Sequence, residues 1–393
     1  MYFHFPHLHY AINRELTELY ASIALRRFTL GLIGIFIPIY IFLYFSQDIS
    51  KTLLYFGSIS LLYGILAPLS GKIITKIGIK HSMLVSLPFL FLYYLGLWQI
   101  EHMGPFLFVL VIAAVVHNIF YWPAFHIDFA RFSEKKDRSK QLSYRYTALA
   151  LAGAASPFAG GIILSQFGYS ILFTIVLTML LASVFPLFLS KEVHERYTDS
   201  FQKTYRELFQ KKYRNKIIGF FGEGAEVIIH IVIWPIFLFT LAINYSSIGL
   251  ISSVALLGGV FFALYLGRLI DKLGHARLLS VGAWLNAFTW PIKMFVATPI
   301  DAFLVNTLHQ MTRLTAHMPF STLFYDWSAR DDVNRDRFVI LREVTINISR
   351  AVVLFSFAGI FLFTDNLIIV FPVAGAFSLL LTFFVRSAKN EAS

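Results

Sequence analysis

The chain has 393 residues, of which 57% are apolar and only 14% charged, with a formal net charge of +11. A soluble domain carries about a quarter charged residues, so this composition excludes a large water-soluble globule and points to lipid as the solvent. With no cysteine, disulfides, thiolate catalysis and cysteine-metal sites are excluded, and the basic residues lie scattered between apolar runs, which fits the inner loops of a membrane protein and not a nucleic-acid partner.

The N-terminal stretch "MYFHFPHLHYAINRELTELY" lacks a basic leader, an apolar core and a small-residue cleavage site, so it reads as an uncleaved start. Its "HFPHLH" cluster (4–9) reads as a solvated or interfacial tail, not a metal site. A spanning helix needs about twenty mostly apolar residues. Twelve runs qualify, at 24–45, 52–72, 80–100, 105–130, 141–166, 168–190, 216–241, 246–268, 277–298, 301–328, 338–363 and 366–386. They are too long and continuous for the alternating strands of a membrane barrel. With the N-terminus inside, every Lys and Arg falls on an inner segment except Lys51, Lys293, Arg313 and Arg350, while Asp48, Glu101, Asp301 and Asp365 mark outer loops. That segregation follows the positive-inside rule and predicts an even number of spans, both termini cytoplasmic, in the cell membrane.

One long charged loop, 191–215, divides six spans from six. The expected domains are an N-terminal bundle (1–190), this linker (191–215) and a C-terminal bundle (216–393). Landmarks recur at offsets of 196 to 199 residues: "IFIPIYIFLY" (35–44) with "VIWPIFLFTL" (232–241), Gly71 with Gly267, Trp122-Pro123 with Met318-Pro319, Asp137-Arg138 with Asp336-Arg337, and Ala159-Gly160 with Ala358-Gly359. The fold expected is therefore all-α, twelve transmembrane helices in two pseudo-symmetric six-helix bundles of parallel orientation.

The same polar turn also occurs twice, between the second and third helix of each half. "GKIITKIGIK" holds Gly71, Lys72, Lys76, Gly78 and Lys80; "GRLIDKLGHAR" holds Gly267, Arg268, Asp271, Lys272, Gly274 and Arg277. Gly78 and Gly274 permit a tight reversal, and the basic residues keep the loop inside. Here the chain resembles the major facilitator superfamily of secondary transporters, whose signature in this loop is Gly-x-x-x-Asp-Arg/Lys-x-Gly-x-(x)-Arg/Lys. The second copy matches well; in the first, Thr75 stands where the family has Asp, with a hydroxyl in place of the charge. "AGAASPFAGG" (152–161), with Pro157, Gly160 and Gly161, resembles the family's antiporter-type motif, which is associated with exporters. Small residues there also serve close helix packing.

Ionisable groups at membrane depth are costly and each demands a reason. On helix seven, Glu223, Glu226 and His230 form one stripe at three- and four-residue spacing. Asn306, Gln310, Arg313 and His317 form another on helix ten, beside His309. In the resembled fold, helices one, four, seven and ten line the central cavity. His117 on helix four is the repeat counterpart of Arg313. Arg26 and Arg27 lie at the inner end of helix one, and Glu343, Asn347 and Arg350 share a face of helix eleven. Glu226, His230, Arg313, Asn306, Gln310, His117 and Arg350 are the candidate substrate and proton residues. Glu226 is the expected proton carrier, with Arg313 as its partner or as the site for an anionic group; a fixed Glu226–Arg313 ion pair is the competing reading. Lys293 is expected to snorkel.

No phosphate-cradling glycine loop and no metal-ligand spacing is present; no cofactor or metal and no enzymatic chemistry are expected. The resemblance implies alternating access with a small-molecule substrate and protons as partners. Proton-coupled efflux by a monomer is the expected form. Proton-linked uptake of a sugar or organic anion, and a non-transporting membrane receptor or assembly protein, are the alternatives.

Overall fold

The computed structural model describes residues 14–132, 151, 153–184, 201–330 and 335–390. The N-terminal His cluster, the first part of the fifth expected span (141–150), Ala152, the pair Asp137-Arg138 and linker residues 191–200 lie outside the described residues.

Apolar runs of this length fold as helices because lipid offers no partner for a free N–H or C=O. Helix α1 runs as Arg14–Gly34 and Ile37–Tyr44, α2 as Ile49–Leu66 and Leu69–Ile77, α3 as Ile79–Trp98, and α4 as Leu107–Phe132. A single helical run, Ser156–Val184, is broken at Gly168, which has φ 76° and ψ −179°; α5 precedes the break and α6 follows it. The linker contributes a short helix, Phe201–Leu208. Then α7 runs as Arg214–Ile228, a π-helical turn Ile229–Ile233 and Trp234–Thr240. Helix α8 is Tyr245–Leu273, α9 His275–Ile292, α10 Pro299–Arg330, α11 Arg335–Ile360, and α12 Leu367–Ile369 followed by Val370–Leu379 and Thr382–Asn390. Each of the twelve expected spans is thus mainly helical over its described residues, and no strand occurs among them.

The repeat is visible in local chemistry. Pro38 in α1 and Pro235 in α7 stand at matching positions, and each lacks the N–H that would continue the helix. The first forces a break closed by Phe36 N–H donating to Ile33 O at 2.8 Å; the second follows the π turn, whose extra residue lets the helix pass its proline. Asp48 Oδ1 caps α2 by accepting from Lys51 N at 2.9 Å, and Asn244 Oδ1 caps α8 by accepting from Ser247 N at 2.8 Å. Gly78 and Gly274 both reverse the chain at positive φ, 88° and 79°, a region L side chains rarely adopt. These two turns define one end of the molecule, the turn end; the opposite end is the far end.

Packing repeats too. Within the halves, α1 lies on α5 as α7 lies on α11, and α3 on α4 as α9 on α10. Between the halves, α2 packs on α11 and α5 on α8. At the far end, Ile37–Tyr44 of α1 also meets Trp234–Thr240 of α7. One apolar core runs through both halves, holding Phe36, Phe173, Trp234, Trp290 and Phe371. Among the described residues, eight helical stretches are apolar enough along their length to cross a membrane on composition alone; α10 and α11, which carry the polar stripes, are not among them.

Candidate functional site

A cavity of about 670 Å³ lies between the halves, in the part nearer the turn end. Its walls come from both sides: Arg26 of α1, His117 and Trp122 of α4, Leu256 of α8, and Arg313 and His317 of α10. Arg26 is buried, 5% exposed. Its guanidinium carbon lies over the Tyr121 ring, 3.5 Å from the centroid, a favourable cation–π placement. Its Nη2 donates to His117 Nε2 at 3.1 Å, and His117 Nδ1 is 3.0 Å from Ser86 O. Since an arginine cannot accept and a carbonyl cannot donate, His117 carries its proton on Nδ1 and is neutral. This leaves His117 as an orienting group for Arg26.

Glu226 does not line the cavity. It is fully buried inside the C-terminal half, against α9 and α10. Its Oε1 accepts from Trp290 Nε1 at 3.1 Å, Asn286 Nδ2 at 3.3 Å and His309 Nε2 at 3.3 Å. Its Oε2 has no hydrogen-bond donor; Arg313 Nε stands 3.8 Å away and His317 Nε2 3.7 Å away, and both of those nitrogens also lack a partner. One carboxylate oxygen is saturated, the other is left open beside an arginine and a histidine that reach into the cavity.

Lys293 does not snorkel. It is 0% exposed, with Nζ 3.8 Å from the Trp290 ring centroid, 4.4 Å from that of Trp234, and 3.4 Å from His230 Nδ1. The tryptophan faces, not the membrane interface, receive the ammonium. His230 lies in the π turn, its ring 4.6 Å from that of His309.

A second polar cluster closes the turn end between the halves. Arg342 of α11 donates to Glu223 Oε1 at 2.7 Å and to Glu343 Oε1 at 2.9 Å. Tyr63 of α2 donates to Glu343 Oε2 at 2.9 Å. His126 of α4 lies 2.8 Å from the Tyr325 hydroxyl and 3.3 Å from Arg342 Nη1. Two elements of the first half thus grip three of the second.

Of the cavity residues expected from sequence, Arg313 and His117 line it. Glu226, His230, Asn306, Gln310 and Arg350 do not. Asn306 turns to Trp234, whose Nε1 donates to it at 3.2 Å, and Gln310 packs beside Gly259 of α8. Arg350 donates to Asn347 at 3.3 Å, along its own helix. Helical periodicity placed these groups on the right helices, but not on the face turned to the gap between halves. Arg342, His126, Tyr63 and Tyr325 were missed: single polar residues near a helix end carry no stripe. In the turns, Gly71 is buried at the end of α2, Thr75 donates to its carbonyl at 3.0 Å, and Gly78 and Gly274 have the expected backbone. Lys72 and Lys76 lie on α2, Lys80 starts α3, Gly267, Arg268 and Lys272 lie on α8 and Arg277 on α9. Asp271 falls within α8, its side chain outside the described ones. In α5, a Cβ at Gly160 would strike the Leu32 carbonyl oxygen of α1, and one at Gly161 the Tyr245 carbonyl oxygen of α8; Gly249 of α8 meets Pro157 O.

The family model described as Major Facilitator Superfamily matches residues 19–229, more than half of the chain. No curated protein matches it significantly in sequence. Among solved structures, the chain is similar to a bacterial homologue of the iron transporter ferroportin in an outward-facing state, with a TM-score of 0.71 at 15% identity, covering 96% of this chain and 100% of that one. It is also similar to the human organic anion transporter MFSD10 (TM-score 0.66, 12% identity, 95% and 100% covered). A third similar structure is the E. coli fucose:proton symporter FucP (TM-score 0.66, 13% identity, 95% and 98% covered). At such identities the likeness is one of fold, and it spans both halves. The chain belongs to the major facilitator superfamily of membrane transporters.

Proposed function

We propose that this protein is a proton-coupled secondary transporter that moves a small organic molecule by alternating access, with the cavity between the halves as its substrate site. The observation that carries this reading is the open triad of Glu226 Oε2, Arg313 Nε and His317 Nε2, held 3.7 and 3.8 Å apart without hydrogen bonds. Arg313 and His317 line the cavity while facing Glu226. A ligand that repositions either one changes the counter-charge on a carboxylate in a low-dielectric site, and gain or loss of a proton relieves the imbalance. On the other side of the same carboxylate His309 bonds its saturated oxygen, with His230 beside His309 and Lys293 beside His230.

Efflux is the direction supported by the α5 glycine pattern, with residues 1–190 and 216–393 rocking about the linker 191–215. In this reading both termini are cytoplasmic and one chain is the transport unit. The similar structures carry different cargoes by name, an iron transporter, an organic anion transporter and a fucose:proton symporter, so they support transport without selecting a substrate. The lining position of Arg313 favours a second coupling reading, in which an organic anion and a proton travel in the same direction.

The test is flux in proteoliposomes holding the purified chain, under an imposed pH gradient, across a panel of organic solutes. Gradient-driven flux that is lost in Glu226→Gln, with solute exchange at equal pH retained, supports the reading. Gradient-driven flux unchanged in that variant removes Glu226 from coupling. No flux for any solute, together with no alternation of access at the two ends, favours the non-transporting receptor or assembly protein.

A further inference from the structure

The cavity is lined by three arginines, Arg26, Arg27 and Arg313, and three histidines, with no aspartate or glutamate among its lining residues. Arg313 shares its charge with Glu226 at 3.8 Å. For Arg26 and Arg27, no carboxylate stands at ion-pair distance among the described residues. Arg26 is the telling case. A desolvated arginine is expensive at membrane depth unless a counter-charge meets it. Among the described residues Arg26 meets a neutral imidazole and a ring face. One N–H of the guanidinium is spent on His117, and Nε–H has no acceptor. A guanidinium laid on a ring keeps its planar N–H edge for a carboxylate, sulfonate or phosphate.

The rest of the wall narrows the ligand. Tyr121 is stacked between His117 (5.5 Å, 18°) and Phe125 (5.6 Å, 21°), and Tyr94, Trp122 and Tyr325 add aromatic surface. A neutral sugar would need many mixed donors and acceptors, and the lining offers few acceptors; a cation would meet only like charge. A bare inorganic anion would leave most of the volume and the ring surface unused.

We infer that the cavity binds an organic anion with a flat aromatic body, its acidic group anchored by the Arg26 guanidinium in an electropositive site that Arg27 and Arg313 reinforce. This rests on the reading of the cavity as the transport site. An anion that also draws Arg313 away from Glu226 leaves that carboxylate to bind a proton, so the inference selects the coupling in which anion and proton move together.

The test uses the absence of cysteine. Ser321, which lines the cavity, is changed to Cys in the full chain reconstituted in liposomes. The thiol is labelled with methanethiosulfonates carrying either a sulfonate or a trimethylammonium group. In each case the thiolate forms the disulfide and a sulfinate leaves, so only the reagent's charge differs. Rates are normalised to those with free 2-mercaptoethanol. Clefts of one sign raise counter-ion arrival about tenfold or more, so the sulfonate reagent is expected to be favoured about tenfold. That preference is expected to fall in Ser321→Cys with Arg26→Gln and to persist with Arg26→Lys, which keeps the charge. Indole-3-acetate is expected to slow labelling, and tryptamine, with the same ring and a positive charge, to leave it unchanged. A preference for the trimethylammonium reagent, a ratio untouched by Arg26→Gln, or protection by tryptamine and not by indole-3-acetate overturns the inference. If neither reagent reaches the thiol in folded protein, the transport-site reading itself fails and the ligand assignment falls with it.

Discussion

Tyr205, in the linker helix, fills the gap that Pro68 leaves in α2. Pro68 has no N–H, so the carbonyl of Gly64, four residues before it, lacks its helical donor. The Tyr205 hydroxyl shares its one proton between Gly64 O at 3.1 Å and Ile65 O at 2.6 Å. Two residues on, Glu207 pairs with Arg337 of α11 at 3.2 Å. The linker is fastened to both halves at the turn end.

Tyr205→Phe therefore removes the only polar part of that contact and leaves a carbonyl without a donor, a cost of about 1–3 kcal/mol. In a Pro68→Ala background the restored N–H supplies the donor, and the same change costs less. A double-mutant cycle on the unfolding midpoint reads the difference; equal costs in both backgrounds would refute the pairing.

Arg342 is the centre of the turn-end cluster. Arg342→Gln leaves Glu223 and Glu343 buried without their shared cation, a loss of about 3–5 kcal/mol. Tyr63→Phe removes one bond to a charged acceptor, worth about 1.5–3 kcal/mol, and does so across the interface of the halves. Both variants are expected to lower the thermal midpoint and to raise labelling of thiols introduced near His126. Labelling that stays at the wild-type level would show that the cluster does not hold the turn end shut.

Lys293 and Trp290 touch, yet their removal should have opposite results. Lys293 has no carboxylate at ion-pair distance among the described residues and is fully buried, so Lys293→Met exchanges a costly group for an apolar one of similar size. Its midpoint is expected to match or exceed the wild type. Trp290→Phe deletes a donor to Glu226 Oε1 and is expected to cost about 1.5–3 kcal/mol. A strongly destabilised Lys293→Met would mean that its charge balances Glu226 in the folded state.

Asp48 caps α2 outside the membrane. The Lys51 backbone N–H, first, and its side chain hold the Asp48 carboxyl below its ordinary range. A depressed folded value means that the stabilisation is present above the unfolded value, near pH 4, and fades as the pH falls through the folded one. Asp48→Ala is expected to cost ~1 kcal/mol near neutrality and progressively less in acid. A cost independent of pH would place the effect elsewhere. Asn244, its counterpart on α8, carries no charge, and Asn244→Ala should show no such fading.

The helices, their order and the duplication were legible in sequence because lipid makes the apolar run itself the signal. Gly78, Gly274 and the two prolines were legible for the same local reason: each is a backbone constraint that its neighbours cannot override. The site was legible only in part. Glu226, Arg313 and His317 lie on the expected stripe, yet an α-helix turns 100° per residue, and which sector faces the gap depends on crossing geometry that no local pattern encodes. Lys293 was misplaced because a lysine near a helix end reads as snorkelling unless one knows that Trp234 and Trp290 converge on it. Arg26 stood out only once its surroundings held no acid.

The adjacent glycines of α5 have a mechanical consequence. Gly160 lies against the backbone of α1 in its own half, and Gly161 against the backbone of α8 in the other. Both contacts are backbone against backbone, with no side chains to interlock or change rotamer. On either side of the glycines, serines bridge α5 and α8, Phe158 N–H donating to Ser253 Oγ at 2.9 Å and Ser165 meeting Ser246 at 2.7 Å, so under the proposed alternating access α5 would be an axle whose rolling on α8 requires those two bonds to break.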